Sequence, residues 1–140
     1  MNITSQQLAA LQGGKPARRS KFNVAPREDR TYGGVVFDSK AEMCRAMALD
    51  MLIAGREIRS WTRQPRFQLG VKENVYVADF RVIGADGEEW IEDVKGASTP
   101  KWRRDLRLWR SYGPLPLHVL KHLGGIRFHT TIIPKGKGTP

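Results

Sequence analysis

The stretch YVADFRVIGADGEEWIEDVKG, Tyr76–Gly96, decides the fold class, because its two halves alternate like β-strands around a tight turn. Asp-Gly at Asp86–Gly87 is a strong signal for such a turn. Both halves are built mainly from Val, Ile, Phe and Trp, yet Asp79 interrupts the first, and acids and a lysine end the second. The stretch therefore predicts an antiparallel hairpin that gathers charged side chains at one end.

The segments before this hairpin predict a helix and another strand. Helical spacing of apolar residues indicates a helix from about Lys40 to Ala54, with Ser39 as N-cap and Gly55 as the C′ residue. The alternating run IRSWTRQPRFQL then predicts a strand. Because Pro65 cannot donate to a strand ladder, we expect an edge strand or one with a bulge.

The segments after the hairpin complete an α/β pattern. The run STPKWRRDLRLWRSYG predicts a second helix, capped by Ser98 or Thr99, and the runs LPLHVLKHL and GGIRFHTTIIP predict strands. The order helix, three-strand meander, helix, strand predicts an α/β sandwich with one mixed sheet between helices. The third strand and the strand after the second helix should run parallel and be joined by a right-handed crossover.

Composition bounds the classes of function. The chain has 140 residues, which suggests one main domain, and a net charge of +10 with a pI near 10.3. Such an excess indicates a polyanionic partner, most often nucleic acid, although basic charge can also serve solubility alone. No apolar run approaches the roughly 18 residues of a membrane span, and no secretory signal is recognisable. Cys44 is the single cysteine, so no internal disulfide is expected and a cytoplasmic setting fits.

The chain is predicted to have three parts. Residues 1–30 are rich in Gly, Pro and basic residues and predict a flexible basic arm, in which Arg18, Arg19 and Lys21 are candidate phosphate contacts. Residues 31–134 form the folded domain. Residues 135–140 are predicted to be a disordered tail.

The charged end of the hairpin is the candidate functional site. A turn at Asp86–Gly87 places Asp79 opposite Asp93 or Val94, so the two carboxylates should lie within roughly 5–8 Å of each other. Like charges this close repel, and a divalent cation such as Mg²⁺ would remove the repulsion. Lys95 lies two residues beyond Asp93 and points the same way. The alternative is an ordinary Asp–Lys contact on a solvated hairpin.

A resemblance sharpens this interpretation. The pieces FDSKAE, QPRFQL, YVADFRV and EDVKG, in this order over about Tyr32 to Leu120, resemble the motifs of PD-(D/E)XK nucleases. The chain is more closely similar to a family of small phage and prophage proteins long catalogued as being of unknown function. Ala78 rather than Pro precedes Asp79, at a position that varies in such nucleases. The resemblance implies a restriction-endonuclease-like αβββαβ core.

The resemblance also implies roles for particular residues. Asp79 and Asp93 would be metal ligands, with the Val94 carbonyl as a possible further one, and Lys95 would be the catalytic lysine. Glu92 competes with Asp93, but strand alternation puts Glu92 on the face opposite Lys95.

Two further residues match the family motifs and keep a structural alternative. Glu42 would complete the metal site, or it would bond back to Ser39 in a capping box. Gln64 belongs to the QP signature; it would orient the attacking water or touch DNA, or it is a polar edge-strand residue.

The second predicted helix carries two stripes. Trp102, Leu106 and Trp109 should pack on the sheet rather than stack on bases. The other stripe is basic and could follow a phosphate backbone, or it is a solvated face. Its members and neighbours are Lys101, Arg103, Arg104, Arg107 and Arg110.

Together these features predict a Mg²⁺-dependent DNA endonuclease, for which Mn²⁺ could substitute. The resemblance implies a phage or prophage protein in the cytoplasm of the bacterial host, which acts on branched DNA such as a Holliday junction. Symmetric cutting of a junction implies a homodimer; a nicking or restriction-like enzyme is the rival. The alternative from another class is a non-catalytic basic DNA-binding protein derived from a nuclease.

Overall fold

The computed structural model describes residues 24–137. Within this range the chain forms two α-helices, nine β-strands and a short 3-10 turn at Arg27–Arg30. The helices are α1 (Lys40–Ala54) and α2 (Pro100–Tyr112). The strands are β1 (Thr31–Tyr32), β2 (Val35–Val36), β3 (Ile58–Arg63), β4 (Arg66–Gln68), β5 (Val75–Val77), β6 (Phe80–Gly84), β7 (Glu89–Val94), β8 (Leu117–Gly124) and β9 (Arg127–Ile133).

The described strands include one five-stranded mixed sheet with the order β3-β6-β7-β8-β9. Strand β6 runs antiparallel to β3 and β7, whereas β7 runs parallel to β8. A parallel pair needs a crossover connection, and α2 provides it, as the sequence predicts. The predicted α/β class with a mixed sheet is therefore confirmed.

By proximity of its residues the chain divides into two compact units. One contains the described residues up to Met51 together with His122–His129. The other contains Leu52–Lys121 and the described residues from Thr130 onward. The charged end of the central hairpin lies in the second unit.

Helix α1 has the predicted bounds. The Ser39 hydroxyl accepts a hydrogen bond from the Glu42 amide at 3.1 Å, which satisfies one of the amides that a helix leaves without a partner at its start. Its C-terminal end differs from the prediction. Arg56 rather than Gly55 takes the left-handed conformation, with φ of 60°, and the amides of Arg56 and Glu57 donate to the carbonyls of Ile53 and Leu52.

Helix α2 is fixed by its cap and by its tryptophans. The Thr99 hydroxyl accepts from the Trp102 amide at 3.1 Å, and Pro100 occupies the first turn. Trp102 and Trp109 are 8% and 0% exposed, so they pack in the core as predicted and are not available to stack on bases. Both tryptophans belong to a core cluster of the second compact unit. The cluster consists of Leu69, Tyr76, Ala78, Ile91, Trp102, Trp109, Leu117 and Ile133.

Two strands that alternation predicts as continuous are each broken in the same place. The first breaks at Gln64–Pro65, between β3 and β4, and the second breaks at Ala78–Asp79, between β5 and β6. The Gln64 amide donates to the Asp79 carbonyl at 2.9 Å, and the Ala78 amide donates to the Pro65 carbonyl at 3.1 Å. As a result β4 and β5 leave the main sheet as a separate pair, here called the β4–β5 ribbon.

The irregularity predicted at Pro65 is therefore present. Gln64 reaches it through a left-handed backbone with φ of 55°. Strand β3, which precedes the break, lies at one edge of the five-stranded sheet, so the edge position is confirmed as well.

The turn of the central hairpin is one residue longer than a two-residue turn at Asp86–Gly87. Ile83 pairs with Glu89, and the Gly84 amide donates to the Glu88 carbonyl at 2.7 Å. Gly87, with φ of 91°, takes the left-handed position that a three-residue loop requires.

The predicted arm and tail lie only partly within the described residues. Residues 1–23, which include Arg18, Arg19 and Lys21, lie outside them. The part of the predicted arm that is described has tertiary hydrogen bonds, because the Arg30 guanidinium donates to the carbonyls of Ala25 and Phe37. Gly136, inside the predicted tail, is buried and its amide donates to the Gly113 carbonyl at 2.7 Å. Residues 138–140 are also outside the described range.

Candidate active site

The break in the central strand positions Asp79. Phe80 pairs with Glu92, so extending the antiparallel register by one residue sets Asp79 opposite Asp93, one of the two predicted partners. The Val94 amide donates to Asp79 Oδ2 at 2.7 Å. Because the Gln64 amide also holds the Asp79 carbonyl, both the backbone and the carboxylate of Asp79 are anchored.

Asp93 and Lys95 lie beside Asp79 on β7 and just beyond it. Asp93 is 1% exposed, and its Oδ2 accepts a hydrogen bond from the Tyr76 hydroxyl. Lys95 Nζ lies 3.5 Å from the same oxygen and 4.7 Å from the ring centre of Trp102. The structure therefore brings together the predicted pair of aspartates and the predicted lysine.

The electrostatics of this group are those of two carboxyls that repel. Burial, then the negative charge of Asp79 and a carboxyl–carboxyl hydrogen bond with it, raise the pKa of Asp93 to about 8. Lys95 and the Tyr76 hydroxyl act in the opposite direction on this pKa but do not compensate. Below this pH a proton sits where a cation would otherwise neutralise the pair.

The donor set fits a hard divalent cation. Carboxylates, backbone carbonyls and water are the oxygen ligands that Mg²⁺ takes, and the Val94 carbonyl stays a predicted ligand. Within residues 24–137 no group of three or more His, Cys, Asp or Glu side chains is arranged to hold a metal ion. A cation here would thus rely on Asp79 and Asp93 among the side chains, with backbone and water oxygens completing its shell.

The family described as "Protein of unknown function (DUF1064)" matches residues 19–120, which is most of the chain. The chain belongs to this family. No curated protein and no solved structure matches it. The expected similarity to a family of unknown function is therefore confirmed, and the DUF1064 match covers Asp79, Asp93 and Lys95.

Glu42 and Gln64, also within the DUF1064 match, stand differently. Glu42 lies in the other compact unit, where its backbone amide donates to the Ser39 hydroxyl that caps α1, and its role as a metal ligand stays a prediction. Gln64 is exposed and is tied to Asp79 through the backbone, so at least its main chain helps to hold the site. The role of its side-chain amide in orienting water or contacting DNA stays a prediction.

Glu92 and Asp93 turn to opposite sides of β7, as alternation predicts. Glu92 is 0% exposed and accepts from Trp90 Nε1 at 2.9 Å. The Trp90 ring in turn stacks on His118, with ring centroids 5.1 Å apart. Glu92 is therefore not part of the group formed by Asp79 and Lys95.

Sequence reasoning missed Tyr76. In one continuous strand Tyr76 would point away from Asp79, because their separation is odd. The break at Ala78–Asp79 removes that constraint, so Tyr76 reaches Asp93 from the ribbon. The only sequence signal was Pro65 on the neighbouring strand, which indicated an irregularity without locating its partner.

The basic stripe of α2 is exposed. Lys101 is paired with Asp105 at 2.9 Å, Arg103 donates to the Ser98 hydroxyl, and Arg104 donates to Asn74 Oδ1 on the ribbon. Arg107 and Arg110, one helical turn further on, are exposed as well.

Neither helix in the described part of the chain has the length and apolar character to cross a membrane.

Proposed function

We propose that this chain is a Mg²⁺-dependent endonuclease that hydrolyses phosphodiester bonds in DNA. The observation that carries the proposal is the convergence of Asp79, Asp93 and Lys95 at the broken end of the central hairpin. Packing alone does not account for two carboxylates this close together, because such a pair destabilises the fold unless a positive charge neutralises it. The resemblance to PD-(D/E)XK nucleases supports the same chemistry.

In this proposal Asp79 and Asp93 hold Mg²⁺, with the Val94 carbonyl as a further ligand. Mn²⁺ should substitute, since it accepts the same oxygen ligands. The bound cation supplies charge stabilisation at the scissile phosphate. Lys95 orients the attacking water, which displaces the 3′ oxygen in line and leaves a 5′-phosphate.

Access to the site supports one direction of approach. Asp93 is buried, whereas Asp79 is half-buried and the Lys95 side chain is 35% exposed. A phosphate would therefore come from the side of Asp79 and Lys95, with Asp93 behind them. The exposed basic residues of α2 and the net charge of +10 support binding to a DNA backbone.

The substrate and the assembly are further parts of the proposal. No segment has the character of a base-reading module, which favours branched DNA such as a Holliday junction over a particular sequence. A resolvase would act as a homodimer, in phage DNA processing in the cytoplasm of the bacterial host.

The burial of Asp93 favours one alternative. A carboxyl that is 1% exposed and already bonded to Tyr76 could be a remnant of a site that no longer binds metal. The chain would then be a basic DNA-binding protein derived from a nuclease.

The deciding experiment incubates the protein with plasmid and with four-way junction DNA, in Mg²⁺ or in chelator. We expect metal-dependent cutting, lost in Asp93→Asn and Lys95→Met but retained in Glu92→Gln, the matched buried acid on the opposite side of β7. All variants should still shift DNA in a gel. If Asp93→Asn and Lys95→Met cut like the parent protein, the site is wrong. A gel shift without cutting, at any divalent metal, selects the alternative.

A further inference from the structure

Tyr76 is buried in the ribbon yet ends on a candidate metal ligand. Its side chain is 3% exposed, and its hydroxyl donates to Asp93 Oδ2. Lys95 Nζ approaches the same oxygen at 3.5 Å. The Tyr76 hydroxyl and the Lys95 ammonium thus converge on the same carboxylate oxygen of Asp93.

The ring of Tyr76 packs against α2. It contacts Trp102 and Trp109 of α2, with centroid separations of 6.3 Å and 5.7 Å. Trp102 also lies under the Lys95 ammonium, 4.7 Å from its ring centre. One tryptophan therefore contacts both groups that bind Oδ2.

We propose that Tyr76 is a positioning residue, which fixes the orientation of the Asp93 carboxylate and so sets the affinity of the site for Mg²⁺. This inference rests on the proposed function and deepens it. Tyr76 does not touch the substrate or the reacting atoms; it acts through Asp93, in the way that hydrogen-bonded neighbours orient metal ligands generally.

A tyrosine that merely fills the core is the rival explanation, and Tyr76→Phe separates the two. The variant keeps the ring between Trp102 and Trp109 and removes the hydroxyl alone. The chain offers a matched control, because the Tyr32 hydroxyl donates to Asp50 Oδ2 in the other compact unit. Tyr32→Phe therefore removes the same kind of bond away from the site.

The experiment measures cleavage rate against Mg²⁺ concentration for the parent protein and both variants, with isothermal titration of Mg²⁺ alongside. For Tyr76→Phe we expect the half-activating concentration and the dissociation constant to rise about tenfold, with the rate at saturating Mg²⁺ nearly restored. Tyr32→Phe should leave both values unchanged. An unchanged Mg²⁺ dependence in Tyr76→Phe, or an equal shift in Tyr32→Phe, would overturn the positioning role.

The two proposals fail in different ways. If the parent protein binds Mg²⁺ but cuts no DNA, the nuclease function fails, and the calorimetric comparison still decides the role of Tyr76. If Tyr76→Phe does not fold, Trp102→Phe weakens the packing of α2 against the Tyr76 ring instead. An unchanged Mg²⁺ affinity in that variant overturns the inference.

Discussion

The Val94 amide donates a 2.7 Å hydrogen bond to Asp79 Oδ2, so the backbone of β7 holds the carboxylate that comes from the neighbouring strand. Asp93, the residue before Val94, provides the second carboxylate. The two acids are therefore fixed relative to each other by main-chain geometry. Their repulsion cannot be relieved by one of them turning away, and the consequences can be measured.

The first consequence is a pH-dependent stability of the metal-free protein. The folded state keeps a proton on Asp93 up to about pH 8, whereas an unfolded aspartate releases it near pH ~3.9. Folding therefore takes up a proton between these values, and stability falls as pH rises through this window, by at most about 1.4 kcal/mol per pH unit.

Asp93→Asn should abolish this contribution, because the amide resembles the neutral acid and does not titrate. Urea denaturation of both proteins in chelator at pH 5, 6.5 and 8 measures it. We expect Asp93→Asn to gain on the parent protein as pH rises. A constant difference between the two would contradict the raised pKa.

The second consequence concerns metal binding. A cation must displace the Asp93 proton, so the apparent affinity for Mg²⁺ should rise up to about tenfold per pH unit and level off above pH 8. Thermal unfolding with and without Mg²⁺ at pH 6, 7 and 8.5 tests this. Asp93→Asn is the control and should show no Mg²⁺ effect. A Mg²⁺-induced shift of equal size at all three values would speak against competition with a proton.

A third prediction concerns the strained backbone of Gln64. Left-handed conformations cost a non-glycine residue about 1–2 kcal/mol, so Gln64→Gly should raise the free energy of unfolding by about 1 kcal/mol, and Gln64→Ala should not. Arg56→Gly, at a similar φ of 60°, is the matched position outside the site. Denaturant titration measures all three, and equal stability of Gln64→Gly and Gln64→Ala would contradict the strain.

The same variants resolve what the Gln64 side chain does. Loss of cleavage in both Gln64→Ala and Gln64→Gly would indicate that the amide orients water or touches DNA. Normal cleavage in both would leave Gln64 as a polar edge-strand residue whose main chain alone holds Asp79.

A fourth prediction concerns the exposed arginines of α2. Replacing Arg107 and Arg110 by alanine should weaken DNA binding and lower the slope of log affinity against log salt by about 2, one for each lost phosphate contact. The melting temperature and the Mg²⁺ affinity should not change, because both side chains are exposed. Arg59→Ala, an exposed arginine on β3, is the control. An unchanged salt slope would place the DNA elsewhere.

Much of this architecture follows from local sequence signals. Helical spacing with Ser39 before it gave α1 its bounds, and Thr99 with Pro100 gave the start of α2. Alternation separated Asp93 from Glu92 correctly, since a strand of fixed period leaves no other choice. These features depend on interactions within a few residues, which a sequence displays directly.

Other features depend on contacts between distant segments. The break at Ala78–Asp79 is set by its partner at Gln64–Pro65, and nothing in the run YVADF indicates it. The reach of Tyr76 to Asp93 follows from that break and was invisible for the same reason. Arg56, one residue beyond Gly55, takes the left-handed conformation at the end of α1. The hydrogen bonds of this C-terminal turn outweigh the conformational preference for glycine at that position.

The two ends of the β4–β5 ribbon differ in their contacts with the rest of the protein. At its base the Tyr76 hydroxyl donates to Asp93, and the Gln64 and Ala78 amides donate to the carbonyls of Asp79 and Pro65. Its tip, residues 70–73, is exposed. Engineered insertions at the tip could thus extend how far the molecule reaches along a ligand while leaving the acidic pair intact. Deleting the whole ribbon would instead remove the Tyr76 hydroxyl that donates to Asp93. The length of the ribbon can therefore change, but the ribbon itself is required.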